Sequence, residues 1–157
     1  MGLDAQKYLK TRFEIRTADV EVDGLVDFFP SGEKALWRVR GLTGQEVGQT
    51  RQAAMLRRDL GAVIDGLLGA SSSEKAQAVK EMMHLNGEVP EDVVKRIATL
   101  TLGSVDPPGS EELSVRLCEN HPIEFYNITN KILLLTGMGK MPGKQEPSGM
   151  TPKSGPA

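Results

Sequence analysis

The chain has 157 residues, a formal net charge of -2, a sequence pI near 5.7, 39% hydrophobic and 25% charged residues, but only 4% aromatics. The negative balance argues against a nucleic-acid partner, which phosphate-backbone binding would reward with a cationic excess, and the shortage of rings argues against a platform for stacked bases or sugars. A single cysteine, Cys118, excludes an internal disulfide and suits the cytoplasm, while the longest apolar run, Ile132–Leu135, is far short of the roughly 20 residues of a membrane span.

The first residues, MGLDAQKYLKTRFEIR, contain no signal-like apolar stretch, and Gln6 stands where a myristoylation signal prefers Ser or Thr. From Phe13 to Val22 period-two stretches appear (Phe13, Ile15; then Val20, Val22), and ALWRVRGL sets Trp37 and Val39 on one face with Arg38 and Arg40 on the other. Two strands are predicted, joined through DGLVDFFPSGEK by a hairpin or a looser excursion. Thr43-Gly44-Gln45-Glu46 is a capping box, so a helix opens near Gly44 and runs toward Arg58. Glycines at 48, 61 and 66 each cost about 1 kcal/mol relative to Ala, and two helices or one interrupted helix are expected, with the break near Asp59 or Gly61.

Ser71-Ser72-Ser73-Glu74 offers a second capping box for EKAQAVKEMMHL, stopped at Asn86-Gly87. Pro90, with Glu91 and Asp92 behind it, reads as the first helical position of a segment that presents Val93 or Val94, Ile97 and Leu100 and ends at Gly103. SVDPPGS is expected to be non-helical. Ser110 caps EELSVRLCEN, and Pro122 restarts a last helix through Gly137. Thereafter a Pro or Gly falls every two or three residues, too little apolar surface to offset about 1–2 kcal/mol of backbone entropy per ordered residue. The fold expected is mainly α (α+β): one domain over residues 1–137 with strands at about 13–40 and a bundle of five to six helices, then a disordered tail over 138–157.

No catalytic, metal or cofactor site is predicted. Cys118 and His121 are three apart, but zinc takes four ligands, and the only other histidine, His84, lies in a different predicted helix. GLTGQEVGQT lacks the Lys-Ser/Thr of a phosphate loop. Glu111-Glu112 and Glu91-Asp92 are explained by first helical turns. Charge is segregated along the chain: Glu14, Asp19, Glu21, Asp23, Asp27 and Glu33 face Arg16 alone, whereas Arg38, Arg40, Arg51, Arg57 and Arg58 face Glu46 alone. Two readings follow. The charges are solvated faces that pair within the molecule, or they mark a docking surface with Trp37 and Phe28-Phe29 as anchors. A helix-turn-helix in LTGQEVGQTRQAAMLRR is a minor alternative.

The words LWRVRGLTGQEV, VIDGLLG, VPEDVVKRIATLTLGSVDP and LCENHPIEFYNITNKILLLTGMGKMPGK resemble the tail assembly chaperones of long-tailed bacteriophages and related prophages, over about Leu36 to Gly149. The resemblance implies a non-enzymatic helical protein of the host cytoplasm. It would keep the tape measure protein soluble while the tail tube polymerises, and contact the tube protein through a C-terminally extended form. It also leaves room for a homo-oligomer, and a structural tail component retained in the particle is the alternative. An amphipathic client calls for adaptable apolar surface. The partner-binding candidates are accordingly Trp37, Arg38, Arg40 and Arg51, the methionines Met82, Met83, Met138 and Met141, and the tail lysines Lys140 and Lys144.

Overall fold

The apolar alternation of the first strand region changes phase, from odd positions (Phe13, Ile15) to even ones (Ala18, Val20, Val22), and one straight strand cannot keep both sets on one face. The computed structural model, which describes residues 1–68 and 90–143 and no side chains over 57–68, resolves the conflict by dividing the segment. β1 is Phe13–Glu14 and β2 is Thr17–Glu21, and they belong to different sheets. β2 pairs antiparallel with β3, Leu36–Arg40, in the register Thr17↔Arg40, Asp19↔Arg38 and Glu21↔Leu36. Ala18, Val20, Trp37 and Val39 therefore share the inner face, and Trp37 and Val39 are buried.

The connection between β2 and β3 is more ordered than a hairpin loop: a 3-10 helix spans Asp23–Phe28 and buries Leu25. Ahead of β1 lies an unpredicted helix, α1 (Ala5–Lys10), capped by Asp4, whose carboxylate accepts from the Lys7 amide at 3.0 Å.

The Thr43 capping box is present. The Thr43 amide donates to Glu46 Oε1 at 3.0 Å, and the Glu46 amide donates to Thr43 Oγ1 at 3.3 Å. The helix it opens, α2, continues from Gly44 to Leu68 without the break expected near Asp59 or Gly61. About 1 kcal/mol per glycine is small beside the cooperativity of a long helix rich in Ala, Leu, Met, Gln and Arg, which also packs along the next helix of the described chain. The helix expected over 74–85 lies outside the described residues.

α3 spans Glu91–Gly103, with Pro90 as its N-cap rather than its first turn; the Pro90 carbonyl accepts from the Val93 and Val94 amides. It buries Val94, Ile97, Thr99 and Leu100. SVDPPGS is non-helical as expected, but its first three residues form a strand, β4 (Ser104–Asp106), that extends the sheet to the order β2-β3-β4, with Arg38 opposite Asp106. The Asp106-Pro107 peptide is cis. α4 spans Glu111–Asn120 under its Ser110 cap, and α5 spans Pro122–Gly137 with Pro122 in its first turn.

α5 is the spine of the core. Phe125, Ile128 and Ile132, at i, i+3 and i+7, are fully buried, and Leu135 continues the stripe. Strands β2 and β3 and helices α3 and α4 all pack against it. Gly41 lets the end of β3 approach the last turn of α5, where an added Cβ would lie 3.1 Å from the Leu135 carbonyl. Arg96 joins α3 to α5, with hydrogen bonds to Thr129 Oγ1 (2.8 Å) and Asn130 Oδ1 (2.7 Å) and its guanidinium 4.5 Å from the Tyr126 ring centroid.

The tail boundary also differs from expectation. Residues 138–143 are placed, and Met141–Pro142 form β5, which pairs antiparallel with β1 (Phe13↔Pro142, Glu14↔Met141). Arg16 Nε donates to the Gly139 carbonyl at 3.0 Å, tying this ribbon to the body. The architecture is thus α+β, a short antiparallel strand pair near the N-terminus followed by helices. Among the described residues no helix is long and apolar enough to cross a membrane.

Candidate functional site

Three walls enclose one open groove of about 910 Å³. The 3-10 helix and the turn after it supply Leu25, Phe28, Phe29, Pro30 and Glu33. The sheet supplies Asp19, Leu36 and Arg38, with Asp106 at the end of β4 and Pro107 just after it. The third wall is α4, through Leu113, Arg116 and Leu117.

The spacing of α4 explains its contribution. Leu113 and Leu117 are four apart and share a stripe, with Leu117 turned into the core and Leu113 only partly covered. Phe28 closes one end. It is 78% exposed, and its ring meets that of His121 edge-on at a centroid distance of 6.3 Å. A solvent-facing phenylalanine beside half-covered leucines is an apolar surface without a full complement of neighbours.

The rim is ionic and partly neutralised. Arg38 Nε donates to Asp19 Oδ1 at 2.9 Å across the β2-β3 pair, and Asp106 stands on its other side. The hydrogen bond from Arg38 holds the Asp19 carboxyl below the usual carboxylate range, and the same bond raises Arg38. Lys34 reaches Glu21 at 3.4 Å. Pairing within the molecule, one of the two readings of the segregated charges, thus accounts for these side chains.

The residues proposed from sequence do not form one cluster. Trp37 and Arg38 line the groove, but Trp37 is 4% exposed and donates through Nε1 to Ser104 Oγ at 2.8 Å, which makes it core and floor rather than a protruding anchor. A Trp on the inner face of the central strand had no other place to go. Arg40 lies outside the groove, forked onto Glu46 (2.9 and 2.6 Å) and donating to the Gly41 carbonyl. Arg51 is exposed on α2, away from the groove. Met138, Lys140 and Met141 are exposed at the other end of α5, around the β1-β5 ribbon. Met82, Met83 and Lys144 lie outside the described residues. Sequence reasoning missed Leu113, Arg116, Asp106 and Pro107; the i, i+4 leucines of α4 were the one available signal, and they read equally well as core.

The Cys118 thiol is pushed up from its ordinary value by burial and then by the Glu119 charge, which disfavours the reactive thiolate. Among the described residues no three His, Cys, Asp or Glu side chains are grouped to hold a metal ion. Nor does any buried side-chain nitrogen or oxygen among them lack a hydrogen-bond partner. The helix-turn-helix alternative loses its turn, since residues 44–68 are one helix. Compared with protein-family models, curated proteins and solved structures, the chain finds no match in any of the three.

Proposed function

We propose that the protein is a non-catalytic binder of amphipathic helices, acting as a tail assembly chaperone that holds the tape measure protein soluble in the host cytoplasm. The observation that carries the reading is the groove: about 910 Å³, open, walled by Phe28, Phe29, Leu113 and Leu117 and rimmed by Arg38, Asp106, Glu33 and Arg116. An apolar trough with ions of both signs along its edge suits a helix that presents an apolar stripe between charged flanks. The resemblance of the sequence words to the chaperone family supports this choice of client, and the groove supports the binding of a helix.

The test is co-expression with the tape measure protein encoded alongside, followed by size exclusion of the soluble fraction. Wild-type chain is expected to bring the tape measure into solution and co-elute with it, and Leu113→Glu is expected to lose the complex while keeping its own elution volume. A tape measure that stays insoluble beside wild-type chain overturns the reading. Recovery of the chain from purified particles would favour the retained tail component instead.

A further inference from the structure

The face of α5 opposite the core is open to water. Phe125, Ile128, Ile132 and Leu135 point inward, and half a turn round the helix Ile123 is 71% and Leu134 58% exposed. Asn127 and Asn130, both exposed, stand between them. With 3.6 residues per turn these four fall within about 60° of one another, and none is charged. Tyr126 and Leu133, large and exposed, flank the stripe on one side, and the half-buried Glu124 and Lys131 flank it on the other.

The stripe reads the same in both directions. Ile123, Asn127, Asn130 and Leu134 run apolar, amide, amide, apolar, so reversing the helix about a point between Ile128 and Thr129 sets Ile123 over Leu134 and Asn127 over Asn130. A two-fold axis through that point leaves each flank on its own side. It therefore also brings Glu124 to within about 3 Å, along the helix, of Lys131 in the second helix, and Tyr126 equally close to Leu133. The polar groups are available for such partners. Among the described residues the side chains of Asn127, Glu124 and Lys131 have no hydrogen-bond or ion-pair partner, and Asn130 uses only its carbonyl oxygen, which accepts from Arg96 at 2.7 Å.

We infer that a second copy of this chain packs on this face, with the two α5 helices antiparallel about a two-fold axis. Asn130 Nδ2 donates to Asn127 Oδ1 of the other copy, Ile123 packs on Leu134, and two symmetry-related Glu124–Lys131 pairs close one edge. Charge complementarity selects this arrangement, because a parallel one would turn both ions toward Tyr126 and Leu133. The contact is isologous and stops at two copies. Half the surface of a 16-residue helix is roughly 400–500 Å² per copy, the size of a reversible interface. None of these residues lines the groove, so the dimer leaves that surface unused.

Light scattering coupled to size exclusion, on the full chain over a wide range of concentration, tests the contact. Wild type is expected to rise from 17.0 kDa to twice that mass. Glu124→Lys and Lys131→Glu should each stay monomeric alone, since like charges then meet twice. Their equimolar mixture should recover the doubled mass, because a copy with lysine at both positions meets a copy with glutamate at both. Leu134→Asp, at an exposed position, should be monomeric as well, and unchanged fluorescence of the buried Trp37 verifies the fold of each variant. The inference is overturned by a wild type that stays monomeric throughout, by any of the three variants associating alone as wild type does, or by a mixture that remains monomeric.

Discussion

Replacing Glu46 by Gln probes the junction where β3 hands over to α2. In the native protein the carboxylate accepts two bonds from Arg40 and one from the Thr43 amide, and these, with the Arg40 bond foremost, hold its pKa down from an ordinary 4.5 to about 2. A displacement of that size is equivalent to about 3 kcal/mol of preference for the charged form. Water reaches both partners, at 23% and 17% exposure, so screening reduces the expected stability contribution to about 1–2 kcal/mol. Because the folded pKa lies below the unfolded one, the contribution is complete above about pH 5 and fades as the pH falls from 4.5 toward 2. Trp37, the sole tryptophan and a buried one, reports unfolding by fluorescence. Urea titrations of wild type and Glu46→Gln should differ by about 1–2 kcal/mol at pH 7 and by roughly half as much at pH 3, converging only toward pH 2. A difference that is absent at neutral pH, or that persists unchanged in acid, would refute the assignment of the stabilisation to the ionised carboxylate.

Two further substitutions address the packing of α3 on α5. Gly103→Ala would place a methyl carbon 2.8 Å from both Cδ1 and Cγ2 of the fully buried Ile132, and thermal unfolding should show a loss of about 1–3 kcal/mol from overpacking. Should Gly103→Ala melt like wild type, the close approach of α3 to α5 is wrong. Arg96→Lys keeps the charge but not the planar fork that bonds Thr129 and Asn130 and lies over Tyr126. It is expected to cost about 1–2 kcal/mol in urea unfolding, and a neutral result would show that charge alone suffices there.

The parts of the fold legible in the sequence are those with local causes. Thr43 and Ser110 cap the helices they precede, Pro122 occupies a first turn, and the stripes of α3 and α5 face the core because i, i+3, i+4 spacing leaves them no alternative. What was hidden depends on partners distant in the chain. Three residues, Ser104 to Asp106, are too few to show a period and become a strand only because β3 offers an edge. Met141 and Pro142 look like tail until Phe13 and Glu14 are found beside them. The groove was illegible for the same reason: its walls come from residues 19–38, 106–107 and 113–121, and no local pattern announces that they converge. Trp37 shows the converse, since alternation correctly set its face but could not say that this face is the interior until Ser104 arrived to accept its N–H.

The pairing of Phe13 with Pro142 gives assembly a temporal order. During synthesis the first strand emerges early and waits for a partner almost the whole length of the chain away, so the ribbon is among the last contacts to close and carries the longest loop. Until then nothing fixes the N-terminal arm, α1, beside the end of α5. The sheet and helical core can fold before this ribbon closes, and its closure then fixes where the arm is presented.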